Sequence, residues 1–398
     1  TAQVVNFHLQ GTMPGPIDRH RAALGISGMD DATLVYHIVA KRKNQGRADA
    51  NEQNRWLTSN SDISNQTVMP EYFDLMFRRH ATFNIDRNKH QSQSNQPPVS
   101  NATDAECPIY SLFLIADYLA SLYQQRVRRV LKITYLLATF IGIAFIIYSD
   151  MQAHGEILYL FLTLFLVALA VAGLAKRREW HRKYIDYRVL AEGLRVQSYW
   201  RRAGIVDNST PSFVHENFLQ HQDVELGWIR NIMRSASIES LLSPNVDTEP
   251  QVNVVIEEWI GDPDFAGQLH YYSKSSENRT RLRNHFEMLG NAFLWAGIAI
   301  SVVLVIFAQL LQDDLQNIMI ASMGALSVAA AIHEAYAYQK ADKELIKQYR
   351  FMQRIFAATK QRLNTCENVE EQRQLLRTLG EAALAEHAEW TMMNRNTL

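Results

Sequence analysis

Histidine and carboxylate side chains that can hold a metal ion or transfer protons occur close together at three places in the sequence. In the segment HENFLQHQD, Glu216 follows His215 directly and His221 comes six residues after His215. Two zinc-binding histidines on one helical face are four residues apart, as in HExxH, so this spacing does not favour a zinc site. Glu257 and Glu258 are adjacent, and adjacent side chains on a helix or strand point apart. That spacing favours a solvated surface over an acid–base pair.

The third place is His333 and Glu334, near the end of the apolar segment 318–338. Ionisable groups inside a bilayer are costly to bury, so the pair is a candidate for a gate or an ion path. At the level of the lipid headgroups the same two residues would cost little, and the sequence leaves both interpretations open. Ser322 and Ser327 are further candidates for lining a pore, although hydrogen bonds between membrane helices also explain such serines.

Motifs typical of enzymes are missing from the sequence. There is no GxSxG, no P-loop and no Cys–His–Asn pattern, and Cys107 and Cys366 are too far apart to suggest a disulfide framework or a metal site. We therefore expect no enzyme, no catalytic residue, no metal and no identified cofactor. The formal net charge of −1 also gives the chain no basic field that would attract nucleic acid.

Four apolar segments are long enough to cross a bilayer, where about 20 residues rising about 1.5 Å each match the hydrocarbon core. We predict membrane spans at 130–148, 157–175, 289–311 and 318–338, joined by short loops into two hairpins. The expected fold class is an all-α membrane protein. It has two duplicated transmembrane helical hairpins, long cytoplasmic helical extensions and a small N-terminal cytoplasmic module.

The charges beside these spans are distributed asymmetrically. The hairpin loops carry Asp150, Glu156, Asp313 and Asp314 but no Lys or Arg, whereas RVRRVLK and KRREWHRK flank the opposite ends. The positive-inside rule then places both hairpin tips outside and both chain termini in the cytoplasm of a multi-pass protein of the inner cell membrane. In a homo-oligomer the four acidic residues would form rings that favour cations at a pore mouth. The alternative is that they only keep the loops soluble.

The segment 175–202, AKRREWHRKYIDYRVLAEGLRVQSYWRR, is basic and aromatic, as nucleic-acid-binding arms are. Because it directly follows an uncharged span, we interpret its start as a membrane-interface anchor and expect no nucleic-acid partner. The predicted anchors are Lys176, Arg177, Arg178, Trp180, Arg182 and Lys183.

Aromatic and aliphatic residues recur at heptad-like spacing after the second and the fourth span, which predicts a helix–helix seam. The seam residues are Tyr184, Tyr187 and Leu194 after the second span, and Leu345, Tyr349, Met352 and Phe356 after the fourth. Aligning Tyr187-Arg188 with Tyr349-Arg350 suggests two copies of one helix–hairpin–helix unit, at 107–202 and 268–363.

The other segments are less regular. We predict an N-terminal cytoplasmic module at 1–84, in which DATLVYHIVAKRK (31–43) and PEYFDLMFRRHA (70–81) are expected to be helical. The polar stretch 85–106 is predicted to be a linker. Residues 203–267 are expected to form a cytoplasmic connector, and 364–398 a C-terminal cytoplasmic helix.

The segment after the second span and the C-terminal LGEAALAEHAEWTMMNR (379–395) together resemble the SLATT superfamily, prokaryotic two-transmembrane effector domains associated with SMODS and SLOG proteins. The resemblance covers residues 109–398. The residues that carry it are Trp180, His181, Tyr187, Arg188, Ala191, Glu192 and Leu194, with Leu384, Glu386 and Trp390 near the end. It implies that the hairpins, bound in the lipid bilayer, form a pore or a membrane-disrupting assembly triggered by a cytoplasmic sensor.

Several members of that superfamily carry an upstream SLOG-type, Rossmann-like sensing domain, so the resemblance implies a small nucleotide-type ligand. Residues 1–79 contain no GxGxxG. We therefore expect the sensor core upstream of Thr1, with an α/β, SLOG-related remnant in the N-terminal module. The expected function is a homo-oligomeric membrane effector and ion-conducting pore gated by a cytoplasmic ligand-sensing region, in nucleotide signalling or antiviral defence. The alternative is a non-conducting membrane scaffold that recruits a cytoplasmic enzyme.

Overall fold

The structure is a computed structural model of a mostly helical chain. It describes residues 5, 12–13, 19–20, 34–39, 53–58, 64–94, 107–150, 156–205, 226–242, 250–307, 310–339 and 342–395.

Two short antiparallel strand pairs lie in the N-terminal part of the chain. They are β1 (Thr12–Met13) with β2 (Arg19–His20), and β3 (Val35–His37) with β4 (Arg55–Leu57). The helix predicted at 31–43 is wrong at its centre, where Tyr36 pairs across the strands with Trp56 at 4.3 Å between ring centroids. Valine and aromatic side chains fit a pleated pair better than an isolated helical turn.

Ten helices follow among the described residues. They are α1 (Glu71–Ser94), α2 (Pro108–Asp150), α3 (Glu156–Arg177), α4 (Trp180–Arg202), α5 (Gly227–Leu242), α6 (Val252–Val255, continued by the π-helical turn Ile256–Ile260), α7 (Gly267–Phe307), α8 (Asp313–Gln339), α9 (Asp342–Thr365) and α10 (Val369–Arg395).

The four predicted spans are confirmed, because the helical runs that contain α2, α3, α7 and α8 are long and apolar enough to cross a membrane. The chain is therefore a multi-pass membrane protein whose apolar helices contact the lipid bilayer. The described helix of the third span runs to Phe307, and residues 308–309 lie outside the described part. The amides of Leu310 and Leu311 both donate to the carbonyl of Phe307, at 2.9 and 3.2 Å.

Helix α1 continues to Ser94, so the linker predicted at 85–106 is wrong over 85–94, and 95–106 lie outside the described residues. The stretch is polar in sequence, but Asp86 and His90 are only 7% and 9% exposed. Contacts with distant helices thus keep residues 85–94 helical, although their composition alone indicates a flexible linker.

The apolar halves of α2, α3, α7 and α8 form the membrane layer, in which α8 packs against both α2 and α7. On the α2 side, the bare Cα of Gly324 meets Ile146 and that of Gly142 meets Val328. The hydroxyl of Tyr135 donates to the carbonyl of Ala335 at 3.3 Å. Since 146 meets 324 while 135 meets 335, the two helices are antiparallel, and both hairpin tips lie at the same end of the layer.

The remaining helices, together with the first halves of α2 and α7, form a second layer at the opposite end, which we call the polar bundle. Helix α4 runs through its centre and buries 13 residues. Three fully buried tryptophans, Trp200 of α4, Trp228 of α5 and Trp259 of the π-helical turn, fill the core around it. The predicted connector 203–267 therefore contributes core side chains to the bundle.

Only a two-residue turn, Arg178 and Glu179, separates α3 from α4. Glu179 is in the left-handed region with φ of 51°, a conformation that costs a non-glycine residue energy and redirects the chain. The membrane hairpin and the central helix of the bundle are thus connected by a short, defined turn.

Candidate functional site

The polar bundle contains a chain of charged side chains along α4, which we call the ionic network. Its members are Asp86, Asp117, Glu179, Arg182, Lys183, Asp186, Arg188, Glu192, Arg195, Glu386, His387 and Arg395. On α4, Arg182 pairs with Asp186 and Arg188 pairs with Glu192, each four residues apart. At about 100° per residue the two pairs lie on different sides of the helix.

At the end of α4 near the membrane, Asp86 of α1 accepts three hydrogen bonds. The donors are Lys183 Nζ at 2.7 Å, the Tyr187 hydroxyl at 2.7 Å and the Tyr123 hydroxyl at 2.9 Å. Burial by itself would raise the pKa of Asp86, but the bonds from Lys183 and Tyr187 outweigh it and hold the pKa below its ordinary value. One carboxylate therefore ties α1, α2 and α4 together.

One turn further, the side chain of Asp186 is completely buried. Arg182 Nη1 donates to its Oδ2 atom at 3.0 Å, and Arg395 Nε lies 4.0 Å from its Oδ1 atom. Complete burial raises the pKa of Asp186 even though Arg395 and Arg182 oppose that effect. Asp186 is thus a costly buried charge that the C-terminal end of α10 helps to compensate.

The centre of the network is Glu192, which is 5% exposed. Its carboxylate oxygens lie 2.6 Å from Arg188 Nη2 and 2.7 Å from Arg195 Nη1, and both arginines also face Asp117 of α2. Burial would raise the pKa of Glu192, but Arg188 and Arg195 hold it well below its ordinary value. Glu192 remains charged in the folded protein.

Helix α10 contributes the adjacent residues Glu386 and His387. His387 Nε2 lies 3.4 Å from Glu192, and the side-chain amide of Gln348 from α9 donates to Glu386. Burial raises the pKa of Glu386, a shift that the proximity of Glu192 reinforces. Two carboxylates with opposite pKa shifts, Glu192 and Glu386, thus lie in one site where α4, α9 and α10 meet.

The two segments that carry the family resemblance lie against each other. The Tyr184 and Trp390 rings are 6.0 Å apart, and His181 Nε2 lies 2.9 Å from the carbonyl oxygen of Asn394. Further along, Trp200 Nε1 donates to the carbonyl of Leu376 at 3.2 Å. Residues from two separate parts of the sequence therefore form one interface between α4 and α10.

The predicted membrane-interface anchors fall into two groups. Lys176, Arg177 and Arg178 are exposed at the end of α3, where an anchor would lie. Arg182 and Lys183 instead face into the bundle and pair with Asp186 and Asp86. Trp180 is half-buried, with the guanidinium of Arg126 5.8 Å from its ring. The basic residues of 176–183 therefore have two roles. Those before the turn after α3 are exposed, and those after it pair with acids inside the bundle.

The predicted seam residues all lie in the bundle. Tyr187, Leu194, Met352 and Phe356 are buried, whereas Tyr184, Leu345 and Tyr349 are half-buried against the same core. Tyr187 and Tyr349, which the sequence alignment paired, have different surroundings. Tyr187 bonds Asp86, whereas Tyr349 packs on Tyr271 and Tyr272 at 6.0 and 5.8 Å between ring centroids.

The predicted pore or gate residues point in different directions. His333 faces α7, where its Nε2 atom lies 2.8 Å from the carbonyl oxygen of Phe286 and its ring lies 5.2 Å from the Phe286 ring. Glu334, Ser322 and Ser327 are exposed. His333 is therefore a packing residue between two spans, separate from its neighbour Glu334.

The predicted acidic ring residues Glu156, Asp313 and Asp314 are exposed at the hairpin tips, and Asp150 ends α2 with its side chain outside the described part. The HENFLQHQD segment also lies outside the described residues, as does most of the module 1–84 with its expected ligand site. Glu258 pairs with Arg202 at 2.6 Å. Within the described ranges, no group of three His, Cys, Asp or Glu side chains could hold a metal ion.

Sequence reasoning missed the ionic network as a unit, although the four-residue spacings of Arg182 to Asp186 and Arg188 to Glu192 were visible signals. Chemically, the network offers tightly paired charges that hold four helices, α1, α2, α4 and α10, in register. Comparison with protein-family models, curated proteins and solved structures finds no match to this chain.

Proposed function

We propose that the protein is a homo-oligomeric membrane effector that conducts ions when a ligand or partner rearranges its polar bundle. The observation that carries the proposal is the continuity of α2 and α7. Each runs from the bundle into the membrane layer without a break, over 43 and 41 residues. At about 1.5 Å per residue each helix is roughly 60 Å long, so movement of its bundle end is passed directly to the span.

Assembly into an oligomer is compatible with the outer surface of the membrane layer. Helix α3 buries no residue, and Tyr159 and Leu166 are 73% and 56% exposed. This surface suits lipid or further copies of the chain equally well, so one protomer leaves room for several neighbours.

The orientation that we propose follows from charges at the two ends of the layer. Exposed Lys176 and Arg177 lie at the bundle end of α3, whereas exposed Glu156 and Asp313 lie at the hairpin tips. The positive-inside rule then places the bundle and the C-terminus in the cytoplasm and the tips outside the cell membrane.

The contact between the two SLATT-like segments supports the family assignment that we propose. Those segments are 379–395 and the start of α4, and the ionic network lies at their interface. A sensor acting on α10 would alter the charges facing α4, which connects to α3 through the Glu179 turn. We propose a small nucleotide-type trigger in prokaryotic nucleotide signalling or antiviral defence, as the family resemblance implies.

The test is ion flux from liposomes that contain the purified oligomer, measured with and without candidate nucleotides. We expect flux above that of protein-free liposomes, and the Gly173→Ala variant should match the unaltered protein because nothing lies within 4 Å of the added methyl position. A folded oligomer that stays impermeable under every condition, while it binds a stoichiometric cytoplasmic enzyme, would instead establish the non-conducting scaffold.

A further inference from the structure

One face of α8 carries three exposed polar residues and one isoleucine at regular spacing. Asp313, Ile320, Ser327 and Glu334 follow one another at intervals of seven residues, and all four are exposed. Residues seven apart lie almost directly above one another on an α-helix, as in the seams between packed helices. We call these four residues the α8 stripe.

The stripe divides the residues that the sequence grouped as pore candidates. Ser327 and Glu334 belong to it, whereas Ser322 lies roughly 140° away around the helix, at about 100° per residue. His333 points toward α7, where a Cβ atom on Gly290 would lie 3.2 Å from its ring.

The exposed faces of the neighbouring spans differ in chemistry. Every exposed residue of α7 within 294–306 is apolar, and Trp295 and Val305 are 66% and 81% exposed. On α3, the exposed hydroxyl of Thr163 is bonded to the carbonyl of Tyr159 in its own helix at 2.7 Å. The hydroxyl of Ser327 in the stripe is bonded in the same way, to the carbonyl of Met323 at 2.9 Å. The stripe differs from the α3 face in its ends, because it carries a carboxylate at both, whereas α3 has Glu156 at the tip and Lys176 and Arg177 at the bundle end.

The stripe extends across the whole membrane layer. Asp313 and Glu334 are separated by about 32 Å at about 1.5 Å per residue, close to the ~30 Å of the hydrocarbon core. Among the described residues no cation pairs with Glu334. At that separation the two carboxylates lie at the edges of the hydrocarbon core, where they can face water and attract cations.

We infer that the α8 stripes of neighbouring copies surround a hydrated axis along which cations cross the membrane. Rings of Asp313 and Glu334 attract cations at the two mouths, Ser327 supplies hydroxyl oxygens between them, and Ile320 forms the apolar constriction. This inference rests on the proposed conducting function and deepens it, because it names the lining helix and the charge of the permeant ion.

The test is cysteine accessibility in proteoliposomes. In a background with Cys107→Ser and Cys366→Ser, the variants Ser327→Cys, Ser322→Cys and Leu166→Cys are treated with a positively charged methanethiosulfonate reagent. Ser322→Cys makes the same substitution on another side of the same helix, and Leu166→Cys tests an exposed position on α3. Labelling rate and ion flux are recorded separately for each variant.

We expect Ser327→Cys to label about tenfold or more faster than both controls, because a charged reagent is excluded from lipid. Its flux should fall after labelling, while that of the controls should not. Equal labelling rates with normal flux would overturn the inference and leave the proposed function standing. Absence of flux before any labelling would overturn the proposed function and cation passage together, while the labelling rates would still report whether the stripe is hydrated.

Discussion

His387 of α10 lies 3.4 Å from the buried carboxylate of Glu192 in α4. This contact connects the C-terminal helix to the centre of the ionic network, and α4 is joined to the membrane hairpin by the Glu179 turn. Displacing α10 would therefore change the charges that hold α4 in place. We regard this contact as the point at which an input to the bundle reaches the spans.

Asp86→Ala should destabilise the protein by about 3 kcal/mol, because it leaves the Lys183 ammonium, whose side chain is only 15% exposed, without its carboxylate. Thermal unfolding in detergent measures the effect. The matched control is Asp74→Ala on the same helix, which removes the exposed pair with Arg78 and should cost less than about 1 kcal/mol. Equal losses for the two variants would contradict a structural role for Asp86.

The Glu192→Gln variant should show a specific pH dependence. The folded pKa of Glu192 lies well below its ordinary value of 4.5, so its stabilising contribution is complete above that pH and is lost as the pH falls through the folded pKa. We expect Glu192→Gln to cost about 3 kcal/mol at pH 7, because Arg188 and Arg195 lose their shared carboxylate. The deficit should shrink below pH 4.5.

Glu386→Gln is a control for Glu192→Gln, because the stability contribution of Glu386 should change with pH in the opposite direction. Burial raises the pKa of Glu386, so the native protein gains stability from this group as the pH falls through the raised value. Relative to the variant, the unaltered protein should therefore become more stable on acidification. Unfolding curves between pH 3 and 8 for both variants measure the direction in which each stability difference changes with pH. Differences that change in parallel would refute the opposite pKa shifts of Glu192 and Glu386.

Gly142→Ala should weaken the packing of α2 against α8 by about 1–3 kcal/mol, since the added methyl group would overlap Val328. Gly173→Ala on α3 is the matched control. It meets nothing within 4 Å and should be neutral or slightly stabilising through its higher helix propensity. Thermal unfolding of both variants in the same detergent measures the difference. If Gly142→Ala were as stable as the control, the close approach of the two spans would be wrong.

Gly380→Ala should disturb the interface between α4 and α10, because the new methyl group would collide with the indole of Trp200. The expected loss is about 1–3 kcal/mol, with a change in tryptophan fluorescence as the bond from Trp200 to Leu376 is displaced. An unchanged emission spectrum and unfolding temperature would show that the two helices do not pack as described.

The spans could be predicted from sequence because lipid imposes a simple demand, about 20 apolar residues in a helix, and 157–175 meets it without a charge. The role of Lys183 could not be predicted from the sequence, because its partner Asp86 lies 97 residues away. Asp86 also stands in a stretch that is polar enough to suggest a linker. A lysine after a span looks like an anchor until its partner is known. The α8 stripe was visible as a spacing of seven, but that His333 packs away from it required the position of Phe286.

The most direct test of the account is the current through planar bilayers that contain the purified oligomer under a potassium chloride gradient. We predict a reversal potential displaced toward the potassium equilibrium potential, which Glu334→Gln moves toward zero and Glu334→Asp preserves. A stably folded oligomer that carries no current, or one whose reversal potential favours chloride, would contradict the proposed cation-conducting effector.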